Sequence, residues 1–440
     1  MRALVLTSLL LLPAVLPAAA AEPPPESPAT LDLTHLPDDA TVAQLLWTRS
    51  PDLVEARARM EEARGEVVRA GLRPNPTLDG TWGTIPVGPK NPPDLSSPLA
   101  NVPNYTVGLS TLVEIAKRGP RKRAARSAYE AATLDAYELL RQRWYDLRER
   151  VGEVASGRVR VAELTDLVAG AHALTVLQRQ RADRGDVAGL DADRAALDEG
   201  NFEANLQDER QKLAEAVMAC TRVAGVPCVP FDDAAAAEAF LATGLAPPDA
   251  GDLDARPDLR ALTAQQRSAE ASLQLARNRR IPDPTVRLGY VRDQFTVAGN
   301  QLNSLFAGVS VPLPVFDRGQ ADAMEAEAAG EAAGRAHDLL RAQAERDIDT
   351  LVDQAHEAAA RREVLESSSL PLAHRIVDTL QSAVQRGGAP LSELLLARRT
   401  LGELLLASAD VRFLSFRLAA EIGRTGALGP PAPVDLAPAS

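Results

Sequence analysis

The chain has 440 residues, 45% hydrophobic and only 4% aromatic, with 48 Lys and Arg against 60 Asp and Glu for a formal charge of −12. That length can hold two or three ordinary domains, and the Ala, Leu, Arg and Glu that dominate its long tracts belong to long helices. The acidic balance argues against nucleic acid as a partner, and a solvated helix surface is its simplest origin.

Arg2 precedes a leucine-rich apolar run from Ala3 to Ala21, followed by Glu22-Pro-Pro-Pro25. A basic start, an apolar middle and small residues before a polar stretch describe a secretory signal peptide over residues 1–21, cleaved after Ala21. The residue right after that point is Glu22 rather than Cys, so no lipoprotein anchor is expected. No later run is apolar for the ~20 residues a membrane helix needs. Residues 22–41, rich in Pro, are expected to be an extended N-terminal segment.

From Val42 to Leu72 apolar residues return at helical spacing, and Arg73-Pro-Asn-Pro76 ends that helix. Thr77–Thr84 alternates Leu78, Gly80 and Trp82 with polar neighbours, which predicts a strand with one polar face. A Pro-, Gly- and Asn-rich loop, 86–104, leads to a second strand over Tyr105–Val113. Residues 120–184 then read as one helix of roughly 65 residues, about 95 Å at 1.5 Å per residue. Arg184–Asp191 is a turn, and a return helix runs to about Ala224.

Cys220 and Cys228 straddle the end of that helix. Behind an export signal they are either a local disulfide or two free thiols. Residues 226–256 form an irregular linker with a short helix near 233–243.

The plan then restarts. Val107-Gly-Leu-Ser110 followed by Arg118-Gly119 recurs 200 positions later (307 − 107) as Ala307-Gly-Val-Ser310 followed by Arg318-Gly319. Pro257-Asp-Leu259 echoes Pro51-Asp-Leu53, and Ile281-Pro-Asp-Pro284 echoes Arg73-Pro-Asn-Pro76. Repeat 1 (42–225) and repeat 2 (257–425) each supply a helix, two strands, a long helix, a turn and a return helix. In repeat 2 the strands are Thr285–Asp293 and Leu305–Leu313, the long helix is 320–386 with a kink at Pro371, and the turn is Arg386–Glu393. The tail, 426–440, is Ala- and Pro-rich and expected to be disordered.

Four strands with an apolar face cannot close a barrel alone, and open sheet edges do not occur in a bilayer. Their length suits a tilted outer-membrane strand. Closure therefore needs several copies.

The proline junctions, Gly308-Val-Ser-Val-Pro-Leu-Pro-Val-Phe-Asp-Arg318, Leu370-Pro-Leu372 and the paired glycine turns together resemble the TolC family of outer-membrane efflux proteins. The match covers essentially all of the mature sequence. The Pro-Leu-Pro-Val-Phe-Asp-Arg wording most resembles its heavy-metal, cobalt-zinc-cadmium branch. The resemblance implies a mainly α fold with a transmembrane β-barrel portion. It implies three chains, four strands each, forming a 12-stranded barrel in outer-membrane lipid, continued by a long α-helical barrel in the periplasm. It also implies a tripartite pump, with a periplasmic adaptor and an inner-membrane transporter of the RND type.

By motif position, Arg184, Gly185 and Asp191, with Arg386, Gly387 and Glu393, fall at the periplasmic tip that docks the adaptor and gates the tunnel. Asp191 and Glu393 have two compatible readings: an acidic ring that attracts cations, or helix N-terminal capping and dipole complementation. Arg184 and Arg386 either lock the closed tip by salt bridges or lie free at the surface. Leu394, Leu395 and Leu396 suggest an apolar constriction. The five His are scattered, and neither a metal cluster nor a catalytic set nor a phosphate loop stands out, so no cofactor and no enzymatic activity are expected. Rival readings are a duct for drug export or protein secretion, and a periplasmic coiled-coil scaffold that never enters the membrane.

Overall fold

The computed structural model describes residues 30–83, 104–293 and 301–432. The signal peptide, most of the 86–104 loop and residues 433–440 lie outside them. In chain order the elements are β1 (Leu31–Asp32), α1 (Asp39–Arg49), α2 (Pro51–Gly71), β2 (Thr77–Gly83) and β3 (Asn104–Leu112). Next come α3 (Arg118–Asp183), α4 (Gly189–Ala224), β4 (Cys228–Val229) and α5 (Ala234–Ala242). Repeat 2 supplies α6 (Pro257–Arg277), β5 (Thr285–Asp293), β6 (Asn303–Ser310), α7 (Gln320–Val364), α8 (Leu370–Gln385) and α9 (Leu391–Thr425).

Several boundaries differ from the sequence expectation, each for a local reason. The helix expected over 42–72 is two helices, because Pro51 cannot continue α1 and instead opens α2 at its first turn, leaving Ser50 extended. Residues 22–41 are not wholly extended: Asp38 caps α1 by accepting from the Thr41 N–H at 3.1 Å, and Leu31–Asp32 pairs in parallel with Cys228–Val229. Helix α3 has 66 residues, about 99 Å at ~1.5 Å per residue. It tolerates Pro120 because first-turn amides need no helical acceptor. Strand β6 stops at Ser310 rather than Leu313, where Pro312 and Pro314 remove ladder donors.

The helix expected to kink at Pro371 is interrupted by a π turn over Leu365–Ser369. The proline ring cannot tolerate the carbonyl four residues back, and the wider turn moves Ser367 out of its way. Residues 426–432 are not a free tail. Ala427 N–H donates to the Ala250 carbonyl at 2.9 Å, and the Tyr137 hydroxyl donates to the Pro430 carbonyl at 2.7 Å.

The main core sits where the linker wraps the helices. Leu45, Leu46, Trp47, Leu140, Leu147, Val154, Phe231, Leu241 and Phe416 are buried in one cluster. Cys220 and Cys228 form a disulfide with Cα atoms 6.2 Å apart, tying the end of α4 to β4. Buried Arg141 pairs with Glu138 and donates to the carbonyls of Gly423, Gly426 and Leu428. It satisfies acceptors that the end of α9 would otherwise leave orphaned.

Candidate functional site: the sheet and the helix tips

The four long strands form one antiparallel sheet in the order β2-β3-β5-β6. Residues directly opposite in such a ladder share a face. One face carries the row Leu78, Leu109, Leu288 and Ala307, flanked by rows containing Val107, Tyr290 and Leu305 on one side and Val286 and Val309 on the other. Among the described residues nothing covers it: Leu78 is 74% exposed and Leu305 81%. The Trp82 and Tyr105 rings lie 6.2 Å apart near one end of this face, where amphipathic aromatics mark a membrane boundary.

The opposite face carries Asp79, Thr81, Ser110, Arg287 and Ser304, with small residues Gly108, Gly289 and Gly308. The Ser110 hydroxyl donates to Asp79 at 3.0 Å, and the Phe306 ring lies over Gly289 and Gly108. Asp79 and Arg287, one from each repeat, are thus both on this polar face.

Strands β2 and β6 each have one edge that no other strand among the described residues pairs. Where β3 and β5 meet the helices, the seam is closed by a contact that sequence reading missed. Asp283 accepts the Ile115 N–H at 2.8 Å and pairs with Lys117 at 2.7 Å, both side chains largely buried. Burial works to raise the Asp283 carboxyl, but these donors outweigh it and hold the group below the ordinary range. The one-residue difference between the Pro-Asn-Pro and Pro-Asp-Pro junctions was the available signal.

At the far end of the helices, Gly185 and Gly387 take the left-handed conformation, with φ +78° and +75°. Each follows a helix C-terminus: Asp186 N–H donates to the Arg181 carbonyl and Gly388 N–H to the Ala383 carbonyl. Arg184 and Arg386 are exposed and make no ion pair among the described residues. The two turns are joined instead by Arg181, whose guanidinium donates to the Val384 carbonyl at 3.1 Å.

Asp191 and Glu393 occupy the same third position of α4 and α9, where a carboxylate complements the helix dipole. Asp191 also meets Arg194 at 3.4 Å. Leu394 is fully buried between helices and Leu395 partly so, leaving only Leu396 of the three leucines exposed. Just above, buried Asp198 faces the exposed Arg399 at 3.7 Å, and buried Arg398 donates to Gln381 at 3.2 Å. Desolvation pushes the Asp198 carboxyl up and the Arg398 guanidinium down.

Among the described residues no helix is long and apolar enough to cross a membrane. No group of three or more His, Cys, Asp or Glu converges there as a metal site. No family model matches the chain. A curated relative, the cobalt-zinc-cadmium resistance protein CzcC of Cupriavidus metallidurans, is 25% identical over 380 residues, 85% of this chain and 86% of its own. A solved structure of CusC, concerned with folding and transmembrane channel formation, superposes with a TM-score of 0.70 at 14% identity, covering 89% of this chain and 92% of the other. The outer membrane protein VceC of Vibrio cholerae gives 0.68 at 18% identity, covering 89% and 96%.

Proposed function

We propose that this chain, a member of the TolC-like family of outer-membrane efflux channels, is the passive outer-membrane duct of a tripartite efflux system for divalent metal cations. One observation carries the reading: among the described residues, a four-stranded sheet with an uncovered apolar face and two open edges stands on a helix of 66 residues. In water such a face and such edges would aggregate. In lipid they are usable only when further copies complete the cylinder. Three copies give twelve strands, with the polar face of Asp79, Arg287 and the serines lining the bore. The chain is an outer-membrane protein reaching into the periplasm, and it is a duct rather than an enzyme.

The helix tips hold the gate. Three copies of Asp191 and Glu393 around one axis attract cations, while Gly185 and Gly387 set the turns presented to a periplasmic adaptor. Exposed Arg184 and Arg386 are free to pair with that adaptor or with a neighbouring copy. An inner-membrane transporter of the RND type supplies the energy. The metal cargo is supported by the likeness to a cobalt-zinc-cadmium resistance protein. A deletion strain tests it: zinc, cobalt or cadmium tolerance should fall and return with the gene. Loss of drug tolerance with metal tolerance unchanged would assign the duct to drug export instead.

A further inference from the structure

We propose that the seam between neighbouring copies reproduces the β3–β5 seam inside one copy, so that β6 pairs antiparallel with the partner's β2 in a register setting Ser310 opposite the partner's Asp79. This rests on the multi-copy duct proposed above and fixes how its wall closes.

The internal duplication supplies the register. Residues of β3 recur 200 positions later in β6 (Gly108 and Gly308), and β5 follows Pro284 as β2 follows Pro76, 208 positions earlier. Within the chain Ser110 stands opposite Arg287, Gly108 opposite Gly289 and Thr111 opposite Val286. Carried across copies, these pairs become Ser310 with the partner's Asp79, Gly308 with the partner's Thr81, and Val311 with the partner's Leu78.

The residues fit that placement. On the apolar face Val309 meets the partner's Gly80 and Ala307 meets the partner's Trp82, large against small. On the polar face Asp79 already accepts the Ser110 hydroxyl at one oxygen, and a carboxylate has room for a second hydroxyl, that of Ser310. A two-residue shift toward β6's start would put Gly308 there, with no side-chain donor. A one-residue shift would turn the apolar set of β6 to the polar side.

The junction below the strands shows the same complementarity. Asp283 opposes Lys117 within the chain, and the equivalent positions between copies are Asn75 and Asp317. The Asn75 amide, exposed and without a partner among the described residues, can donate to the carboxylate of Asp317, one of whose oxygens is held by the Gly319 N–H at 2.8 Å. An aspartate at 75, matching 283, would set two carboxylates together. The Val315 N–H already bonds the Leu313 carbonyl at 2.9 Å, so only the side-chain half of the contact carries over.

Cysteine pairs in the full-length, detergent-extracted protein test the register. The two native cysteines are bonded to each other, and a Cβ at Gly308 meets nothing within 4 Å. Thr81→Cys with Gly308→Cys should cross-link between copies about tenfold faster than Thr81→Cys with Ser310→Cys or with Phe306→Cys, whose partners lie diagonally ~2–3 Å farther off. Faster linking of either shifted pair overturns the register, and so does no linking of any pair in a particle whose native mass shows several copies. A particle of one chain defeats the multi-copy reading beneath it. Separately, Asn75→Asp should lower the temperature at which the assembly falls apart, and Asp317→Lys added to it should restore that temperature. Failure of the rescue removes the Asn75–Asp317 contact.

Discussion

The duplication places nearly the same tetrapeptide in two settings. Glu138-Leu-Leu-Arg141 on α3 is buried: Leu140 and Arg141 are 0% and 1% exposed, and the guanidinium caps the end of α9. Asp338-Leu-Leu-Arg341 on α7 lies open, with Leu339 72% exposed and Arg341 reaching Asp254 and Glu345 at the surface. The difference extends along both helices. Helix α3 buries Leu, Val and Tyr, whereas the buried positions of α7 are all alanine. Helix α3 is flanked by α2 and α6 of its own chain, while α7 packs on α6 and α9 and otherwise meets only the linker, at Leu245, Ala250 and Asp254, among the described residues. The same written element is thus enclosed in the first repeat and left largely open in the second.

The widest gap should open at the arginines. Arg141→Ala strands a buried Glu138 and several helix-end carbonyls, and should cost about 3–5 kcal/mol. Arg341→Ala should leave the melting curve close to unchanged, since its pairs are in solvent. Thermal unfolding followed by circular dichroism compares them, and equal losses would break the contrast.

The open sheet face sharpens it next. Val309 is 67% exposed in the single chain, and on a water-facing sheet Val309→Arg would be tolerated. Against lipid near the bilayer midplane it should cost about 2–4 kcal/mol per copy, read as loss of the protein from the outer-membrane fraction while an arginine on the polar face, such as Thr81→Arg, is retained.

The closed seam gives a smaller, pH-dependent effect. The folded Asp283 carboxyl lies below its ordinary 3.8, so its stabilisation is complete above that pH and lost as pH falls through the folded value. Asp283→Asn should therefore cost about 2 kcal/mol at neutral pH. The difference from the parent should shrink below pH 3.8; a difference that held constant would remove the Lys117 pairing as its cause. The smallest effects belong to the tips: Gly185→Ala and Gly387→Ala should each cost ~1 kcal/mol for a left-handed alanine, seen as faster local amide exchange at the turns.

Much of this was legible in the residues. Proline pairs, glycine turns and alternating strands located every long element, because those signals act within a few positions. What escaped was set by distant chain. That Arg141 caps α9 depends on residues some 280 positions away, and that Leu394 packs inside rather than lining a constriction depends on α3 and α8 lying against α9. At the tip, glycine geometry was readable from sequence, but Arg181 rather than Arg184 or Arg386 joins the turns, since helix phase there is fixed by packing. The split at Ser50 and the π turn before Pro371 show proline acting as expected in kind, with the neighbours choosing its form.

The central claim is that one chain holds only a third of the wall. Native mass spectrometry of the detergent-extracted protein measures this directly. Particles of three chains are expected; particles of a single chain, stable with the sheet's apolar face and both edges unpaired, would contradict it.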